Sequence, residues 1–123
     1  MKYALLLDDD RALAHMTHAL LVMEGFAVTT THTTEEALKH MATWKYDLLL
    51  TDNNLIPGTT NDGIEFAKEH RQEFDALIVY TGDPTNKKAL VEAIDGVLLA
   101  KPFRVVELKQ ALTKASHKPE REV

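Results

Sequence analysis

The chain has 123 residues, of which 45% are hydrophobic and 27% charged, which is the composition of one ordinary globular domain. Its formal net charge of -5 argues against nucleic-acid binding, and the absence of cysteine excludes disulfides and thiolate chemistry. No apolar run approaches the ~20 residues that span a membrane, and the N-terminal run is too short for a signal peptide, so we expect a cytoplasmic protein without a membrane partner.

The chain opens with an apolar run, Tyr3–Leu7, that is predicted to be a strand. A helix is predicted from Arg11 to Glu24, because Asp10 can cap its start and Gly25 can end it. The inward face of this helix is predicted from helical spacing to consist of Leu13, Met16, Leu20 and Met23.

A second strand is predicted over Phe26–His32, where Val and Thr are frequent. Thr33 and Glu36 form a capping box, which opens a helix that runs to about Thr43. On that helix the residues predicted to face inward are Ala37, Leu38 and Met41. The next strand is Asp47–Thr51, an apolar run typical of a strand buried on both faces, and Asp52 follows it at once.

The second half of the chain continues the alternation of strand and helix. Its predicted elements are a loop over Asn53–Asp62, a helix over Gly63–Phe74, a strand over Ala76–Thr81, a helix over Asn86–Ile94, a strand over Gly96–Ala100 and a helix over Arg104–Ala115, with Val105, Leu108 and Leu112 in register. The remaining residues, 117–123, are predicted to be a polar tail.

Five repeats of strand and helix predict an α/β fold, with a parallel sheet and helices on both faces. All five strand ends then lie at one edge of the sheet, where ligands bind in such folds. The side chains that the sequence places at this edge are Asp8, Asp9, Asp52, Thr81 and Lys101.

This set of side chains is suited to phosphoryl transfer. Three crowded carboxylates repel each other, which should raise their pKa values, and a divalent cation with oxygen ligands such as Mg²⁺ would offset their charge. A carboxylate beside a metal ion can act as a nucleophile toward phosphorus. Thr81 adds a hydroxyl and Lys101 an ammonium group, both of which can hold a phosphoryl group.

The sequence resembles the receiver domains of two-component response regulators from Tyr3 to about Ala115. The matching motifs are LLLDDD, YDLLLTD, the pair Asp62-Gly63, VYTG and AKPF. The resemblance implies a doubly wound (βα)5 flavodoxin-like three-layer sandwich with sheet order 2-1-3-4-5. It also implies that residues 1–116 form the receiver domain.

The resemblance implies a role for each matching residue. Asp52 would be the phosphate acceptor, and Mg²⁺ would be bound by Asp9, by Asp8 directly or through water, by Asp52 and by the backbone carbonyl of Asn54. Thr81 would be the switch hydroxyl and Lys101 the lysine that binds the phosphoryl group. The Lys101–Pro102 peptide bond is expected to be cis.

The implied function is signalling rather than enzymatic catalysis. The phosphoryl group would come from a sensor histidine kinase or a phosphotransfer protein, and slow self-hydrolysis would remove it. The output would be contact with a downstream protein target that the sequence does not identify, without direct nucleic-acid binding.

The sequence departs from the family pattern at two places. Pro57 lies five residues after Asp52 and Gly63 six after Pro57, which makes the Asn53–Asp62 loop longer than is usual. Leu98 occupies the position at which the family often has an aromatic switch residue. We therefore expect a conformational change that stays near the phosphate, without the usual aromatic readout.

Two alternatives have weaker support. Asp8 and Asp10 form a D-x-D motif after a strand, which resembles the haloacid dehalogenase superfamily of Mg²⁺ phosphatases with Asp8 as nucleophile. That alternative leaves Asp52 without a role, and the chain is short for that fold with a substrate cap. The other alternative is a receiver-like domain that binds partners independently of phosphorylation, and the complete set of acids, Thr81 and Lys101 argues against it.

Overall fold

The computed structural model describes residues 2–116, and the predicted tail at 117–123 lies outside the described residues. A five-stranded parallel sheet has the order β2-β1-β3-β4-β5, which confirms the predicted fold class. The elements in chain order are β1 Lys2–Leu7, α1 Arg11–Met23, β2 Phe26–Thr31, α2 Thr34–Thr43, β3 Leu48–Asp52, α3 Asp62–Glu69, β4 Ala76–Thr81, α4 Pro84–Ala93, β5 Val97–Ala100 and α5 Val105–Ser116.

The core has two layers, because alternate strand residues point to opposite faces of the sheet. Even-numbered residues of the central strands pack with α1 and α5; these are Ala4, Leu6, Leu48, Leu50, Ile78 and Tyr80. Odd-numbered residues pack with α2, α3 and α4; these are Leu5, Leu7, Leu49, Leu77 and Val79. Both faces are therefore covered, which explains the continuous apolar runs in the sequence.

The strand register brings the ends of the central strands level. Leu7 is paired with Thr51, and Asp52 is paired with Tyr80. Asp8, Asp52 and Tyr80 have the same parity as the residues that face α1 and α5, so their side chains are expected on that face.

The predicted helix starts are confirmed for α1 and α2. The Asp10 carboxylate accepts a hydrogen bond from the Leu13 N–H at 3.1 Å, and the Thr33 hydroxyl accepts one from the Glu36 N–H at 3.1 Å. Within residues 2–116, no helix combines the length and the apolar character needed to cross a lipid bilayer.

The predicted inward face of α1 is wrong in part. Met16 and Met23 are 45% and 75% exposed, and the buried residues of the helix are instead Ala14, Thr17 and Leu21. The prediction selected the largest apolar side chains, whereas a helix packed closely on a sheet needs small residues where the two backbones approach. Leu38 on α2 and Val105 on α5 are likewise exposed, at 43% each, although both were predicted to face the core.

Three element boundaries also differ from the prediction. α3 ends at Glu69 rather than Phe74, and a short 3-10 turn over Arg71–Glu73 follows it. The Arg71 guanidinium donates to the backbone oxygens of Phe74, Ile94 and Asp95, which fixes this turn against the end of α4. α4 begins at Pro84, because proline suits the first helical position, where no intrahelical N–H bond is required. β3 extends to Asp52 itself.

Candidate functional site

The three predicted carboxylates meet at the carboxyl edge of the sheet. Asp8, Asp9 and Asp52 each have an oxygen within 4.8 Å of an oxygen of the other two. Asp8 and Asp52 are buried at the ends of β1 and β3, whereas Asp9 is exposed. Three closely spaced carboxylate oxygens are a suitable ligand set for a hard divalent cation, so these residues fit Mg²⁺.

The two buried carboxylates are held by different partners. Asp8 accepts the backbone N–H of Asp10 at 3.0 Å through Oδ1 and the hydroxyl of Tyr80 through Oδ2. Asp52 accepts the backbone N–H of Asn54 at 3.3 Å through Oδ1, and its Oδ2 lies 3.0 Å from the Lys101 ammonium. The buried charge of Asp52 is therefore paired, and that of Asp8 is hydrogen-bonded on both oxygens.

The pKa of Asp8 is raised from 3.8 to about 6. Burial is the largest cause, and the neighbouring charge of Asp52 adds to it. The hydrogen bonds from Tyr80 and Asp10 and the charge of Lys101 lower the pKa of Asp8 and so limit the rise. The sequence predicted a rise from charge repulsion, and at Asp8 that repulsion is real but smaller than the effect of burial.

Thr81 and Lys101 lie at the ends of the two strands beyond β3, as predicted. The backbone N–H of Lys101 donates a hydrogen bond to the backbone carbonyl of Thr81 at 2.8 Å, which holds the ends of β4 and β5 together. Thr81 is 3% exposed, and its hydroxyl oxygen accepts the Asp83 N–H at 3.1 Å, which leaves the hydroxyl proton available for a ligand. The Lys101–Pro102 peptide bond is cis, which confirms the prediction.

The long loop after β3 is pinned to the start of α3. The Asp62 carboxylate accepts the backbone N–H of Ile56 at 2.8 Å and that of Leu55 at 3.0 Å. Asn54 lies in this loop, where its side-chain oxygen accepts the Asn61 N–H at 3.4 Å. These hydrogen bonds join the start of the loop to its end, so the added residues form a closed loop. The segment that follows Asp52 is held in place by the same bonds.

Gly63 allows α3 to start directly beside the site. Its N–H donates to the Asn53 carbonyl at 2.7 Å. A Cβ atom at this position would lie 1.8 Å from the backbone oxygen of Asp52, so no other residue fits without a shift of the backbone. The Asp62-Gly63 pair thus has two separate functions: the acid folds the loop and the glycine permits close approach.

Sequence reasoning missed Tyr80 as a member of the site. Its hydroxyl contacts Asp8, and its ring lies beneath Lys101, with Nζ 4.8 Å from the ring centre. The pKa of the phenol is raised well above its ordinary value by burial and by the charge of Asp8, so the hydroxyl stays protonated and donates. The sequence offered no signal for this contact, because only the strand register, which pairs Tyr80 with Asp52, brings its side chain to the site.

Comparison with known proteins identifies the family. Residues 4–113 match the family model described as the response regulator receiver domain. The transcriptional regulatory protein CpxR of Klebsiella pneumoniae is 33% identical over 95% of this chain and 51% of its own length. This chain spans about half the length, or less, of the curated relatives that it matches.

Solved structures of response regulators are similar to this chain in both sequence and fold. The chemotaxis response regulator CheY4 of Vibrio cholerae is 28% identical, with a TM-score of 0.77 over 94% of this chain and 98% of that one. The response regulator TrrA of Thermotoga maritima, solved in complex with Mg(2+)-BeF, is 29% identical, with a TM-score of 0.76 over 94% and 99% of the two chains.

Replacing Gly63 with Ala should destabilise the fold by at least about 2 kcal/mol, because the added methyl meets backbone that cannot rotate away. Gly82→Ala is the matched control, since a Cβ at Gly82 meets nothing within 4 Å. Urea denaturation of both variants would measure the difference. Equal midpoints would contradict the close approach of α3 to β3.

The raised pKa of Asp8 predicts a pH dependence in metal-free buffer. Because its folded-state pKa of about 6 lies above 3.8, ionisation of Asp8 destabilises the fold progressively as pH rises from about 4 through about 6. Asp8→Asn cannot ionise. Its free energy of unfolding relative to the parent should therefore increase between about pH 4 and pH 7, by at most about 3 kcal/mol.

Urea denaturation with a chelator present would measure this at both pH values. Asp10→Asn is the control, because Asp10 caps α1 and asparagine is an equally good cap. A stability difference between Asp8→Asn and the parent that does not change with pH would contradict the prediction.

Proposed function

Since the chain belongs to the response regulator receiver domain family, a family of signalling domains, we propose that Asp52 is its phosphate acceptor. The observation that carries the proposal is the pairing of Asp52 with Lys101 at 3.0 Å inside a group of three carboxylates. A nucleophilic oxygen, a fixed cation and a set of oxygen ligands for a metal then lie together at one edge of the sheet.

In the proposed reaction, a carboxylate oxygen of Asp52 attacks the phosphorus of a phosphohistidine. The new O–P bond forms as the N–P bond breaks, and the imidazole nitrogen leaves with the electron pair. Lys101 and the Thr81 hydroxyl bind oxygens of the transferred phosphoryl group through charge-assisted hydrogen bonds. Mg²⁺, held by Asp8, Asp9, Asp52 and the Asn54 carbonyl, would neutralise charge on the carboxylates and the phosphoryl oxygens.

The protein partner upstream is proposed to be a sensor histidine kinase or a phosphotransfer protein. Hydrolysis of the acyl phosphate by water would return the domain to its resting state, so the chain takes part in phosphotransfer without being an enzyme in the usual sense. We further propose that residues 1–116 form the receiver unit and that it functions in the cytoplasm, where phosphoryl donors are found.

The output of the whole protein is a separate question. The expectation of no nucleic-acid binding is not supported, because relatives such as CpxR are transcriptional regulatory proteins and this chain spans about half of them. For this domain we propose output through contact with another protein segment.

The phosphatase alternative, with Asp8 as nucleophile, is not favoured. Both oxygens of Asp8 already accept hydrogen bonds, and its side chain is fully buried. Asp52, in contrast, has an oxygen 3.0 Å from the ammonium of Lys101, a cation that can also bind the transferred phosphoryl group. The alternative of a phosphorylation-independent binding domain leaves this buried and charged arrangement without a purpose.

Acetyl phosphate with Mg²⁺ should add one phosphoryl group to the parent protein, measured as intact mass. Asp52→Asn should lose this addition completely, because the amide is not a nucleophile toward phosphorus. Asp10→Asn should keep it, since Asp10 contributes its backbone N–H to the site and its side chain only to the cap of α1. Loss in Asp8→Asn with retention in Asp52→Asn would instead support the phosphatase.

The conformational response should be confined to the loops near the phosphate. Phosphoryl oxygens give Thr81 and Lys101 new partners, which favours the conformation that makes those contacts. Leu98 is partly buried against the layer that includes Val79 and Val91, and it has no polar ring that could move between water and core. Amide chemical shifts with and without beryllofluoride should therefore change at 53–62 and 81–85 and remain nearly unchanged around Leu98. Comparable shifts along β5 and α5 would contradict this.

A further inference from the structure

Tyr80 is buried at the centre of the site. It is the last residue but one of β4, its side chain is fully inaccessible to solvent, and its Cα is paired with that of Asp52 across β3 and β4. Its backbone oxygen accepts the Asn53 N–H at 3.1 Å. The backbone of Tyr80 therefore supports the residue that follows the acceptor, and its side chain extends along the same face as Asp8 and Asp52.

The side chain of Tyr80 makes three different contacts. Its hydroxyl donates to Oδ2 of Asp8, and the face of its ring lies 4.8 Å from the Lys101 ammonium. Its ring meets that of Phe103 edge to face, with the centres 5.9 Å apart and the planes at 73°. Phe103 follows Lys101 by two residues, so the aromatic pair also anchors the segment that carries the lysine.

We propose that Tyr80 is a positioning residue that aligns the two halves of the site, an inference that rests on the proposed phosphoacceptor function. Its hydroxyl fixes the carboxylate of Asp8 for Mg²⁺ binding, and its ring fixes the ammonium of Lys101 for phosphoryl binding. One side chain thus sets the distance between a metal ligand and the cation that contacts Asp52.

The hydroxyl acts on metal binding through orientation. One oxygen of Asp8 accepts from Tyr80 and the other from the Asp10 N–H, so the carboxylate cannot rotate freely. In that orientation an Asp8 oxygen lies within 4.8 Å of the oxygens of Asp9 and Asp52. Outer-shell partners of this kind orient metal ligands, and their loss typically weakens metal binding about 10- to 100-fold.

The ring acts on Lys101 independently of the hydroxyl. Without it, the ammonium would keep its ion pair with Asp52 but lose its contact with the aromatic ring. The Lys101 side chain is about three-quarters buried, and a partly desolvated cation over an aromatic face is held more firmly than one in water. The ring should therefore affect phosphoryl transfer itself rather than metal binding.

A purely structural role makes a different prediction. Tyr80 is the largest fully buried side chain in the described part of the chain, and a core residue of this size contributes to stability wherever it lies. Loss of its hydroxyl would then lower stability and leave Mg²⁺ affinity unchanged. Metal affinity measured without any phosphoryl donor separates the two roles.

The first test compares Tyr80→Phe with Tyr46→Phe by calorimetric titration of Mg²⁺ at fixed pH. Tyr46 is a matched control: it is 4% exposed, its hydroxyl donates to the Thr29 hydroxyl at 2.9 Å, and it packs in the opposite core layer. Tyr80→Phe should weaken Mg²⁺ binding by roughly tenfold. Tyr46→Phe should leave the dissociation constant within about twofold of the parent, since its lost bond touches no metal ligand.

The second test measures phosphorylation of Asp52 by acetyl phosphate at saturating Mg²⁺. Tyr80→Phe keeps the ring, so its rate should return close to that of the parent. Tyr80→Leu removes the ring as well, so its rate should stay lower by roughly tenfold even when Mg²⁺ is saturating. A rate for Tyr80→Leu equal to that of the parent at saturating Mg²⁺ would overturn the role of the ring. If Tyr80→Leu does not fold, Tyr80→Met replaces it in the same measurement, because methionine also removes the ring and its flexible side chain adapts to irregular gaps in a core.

Equal Mg²⁺ affinity of Tyr80→Phe and the parent would overturn the inference, and the proposed function would stand as long as both proteins are phosphorylated on Asp52. An equal loss of Mg²⁺ affinity in Tyr46→Phe would also overturn it, because the effect would then follow any lost buried hydroxyl. A parent that neither binds Mg²⁺ nor accepts phosphate would overturn the proposed function and this inference together.

Discussion

The site depends on one electrostatic constraint: a parallel sheet brings all its strand ends to the same edge, and three of the residues found there are acids. Asp8, Asp9 and Asp52 have oxygens within 4.8 Å of one another, and such crowding is unfavourable unless cations or hydrogen-bond donors offset it. Lys101, carried on the end of β5, lies 3.0 Å from Asp52 and supplies one positive charge. The negative charge that remains at this edge of the sheet favours the binding of a divalent cation.

Neutral donors share in stabilising this charge. The backbone N–H groups of Asp10 and Asn54 and the hydroxyl of Tyr80 each donate to a buried carboxylate. They do not fully compensate for burial at Asp8, whose pKa remains raised to about 6. The fold thus retains a carboxylate in an unfavourable environment, as functional sites commonly do.

Contacts on both sides of the long Asn53–Asp62 loop hold the backbone around Asp52 in place. Gly63 lets the first turn of α3 lie against the carbonyl of Asp52, and Asp62 binds backbone N–H groups at the other side of the excursion. Because both ends are anchored, the loop residues 56–60 extend outward, where they are exposed, without displacing Asp52. Tolerance of insertions in a surface loop is expected when the ends of the loop remain fixed.

The sequence by itself determined the order of strands and helices along the chain and the acids, hydroxyl and lysine at the strand ends, because periodicity and strand-end position are local properties of the chain. The sheet order 2-1-3-4-5 was implied by the resemblance to receiver domains and is confirmed by the structure. Only the tertiary structure decided which helix residues are buried and that Tyr80 joins Asp8 to Lys101. Ala14 and Thr17 are buried while Met23 is exposed, since the approach of helix to sheet, rather than hydrophobicity alone, selects the contact residues. The contact between Tyr80 and Asp8 joins residues 72 positions apart, and a contact at that separation depends on strand register, which no local pattern specifies.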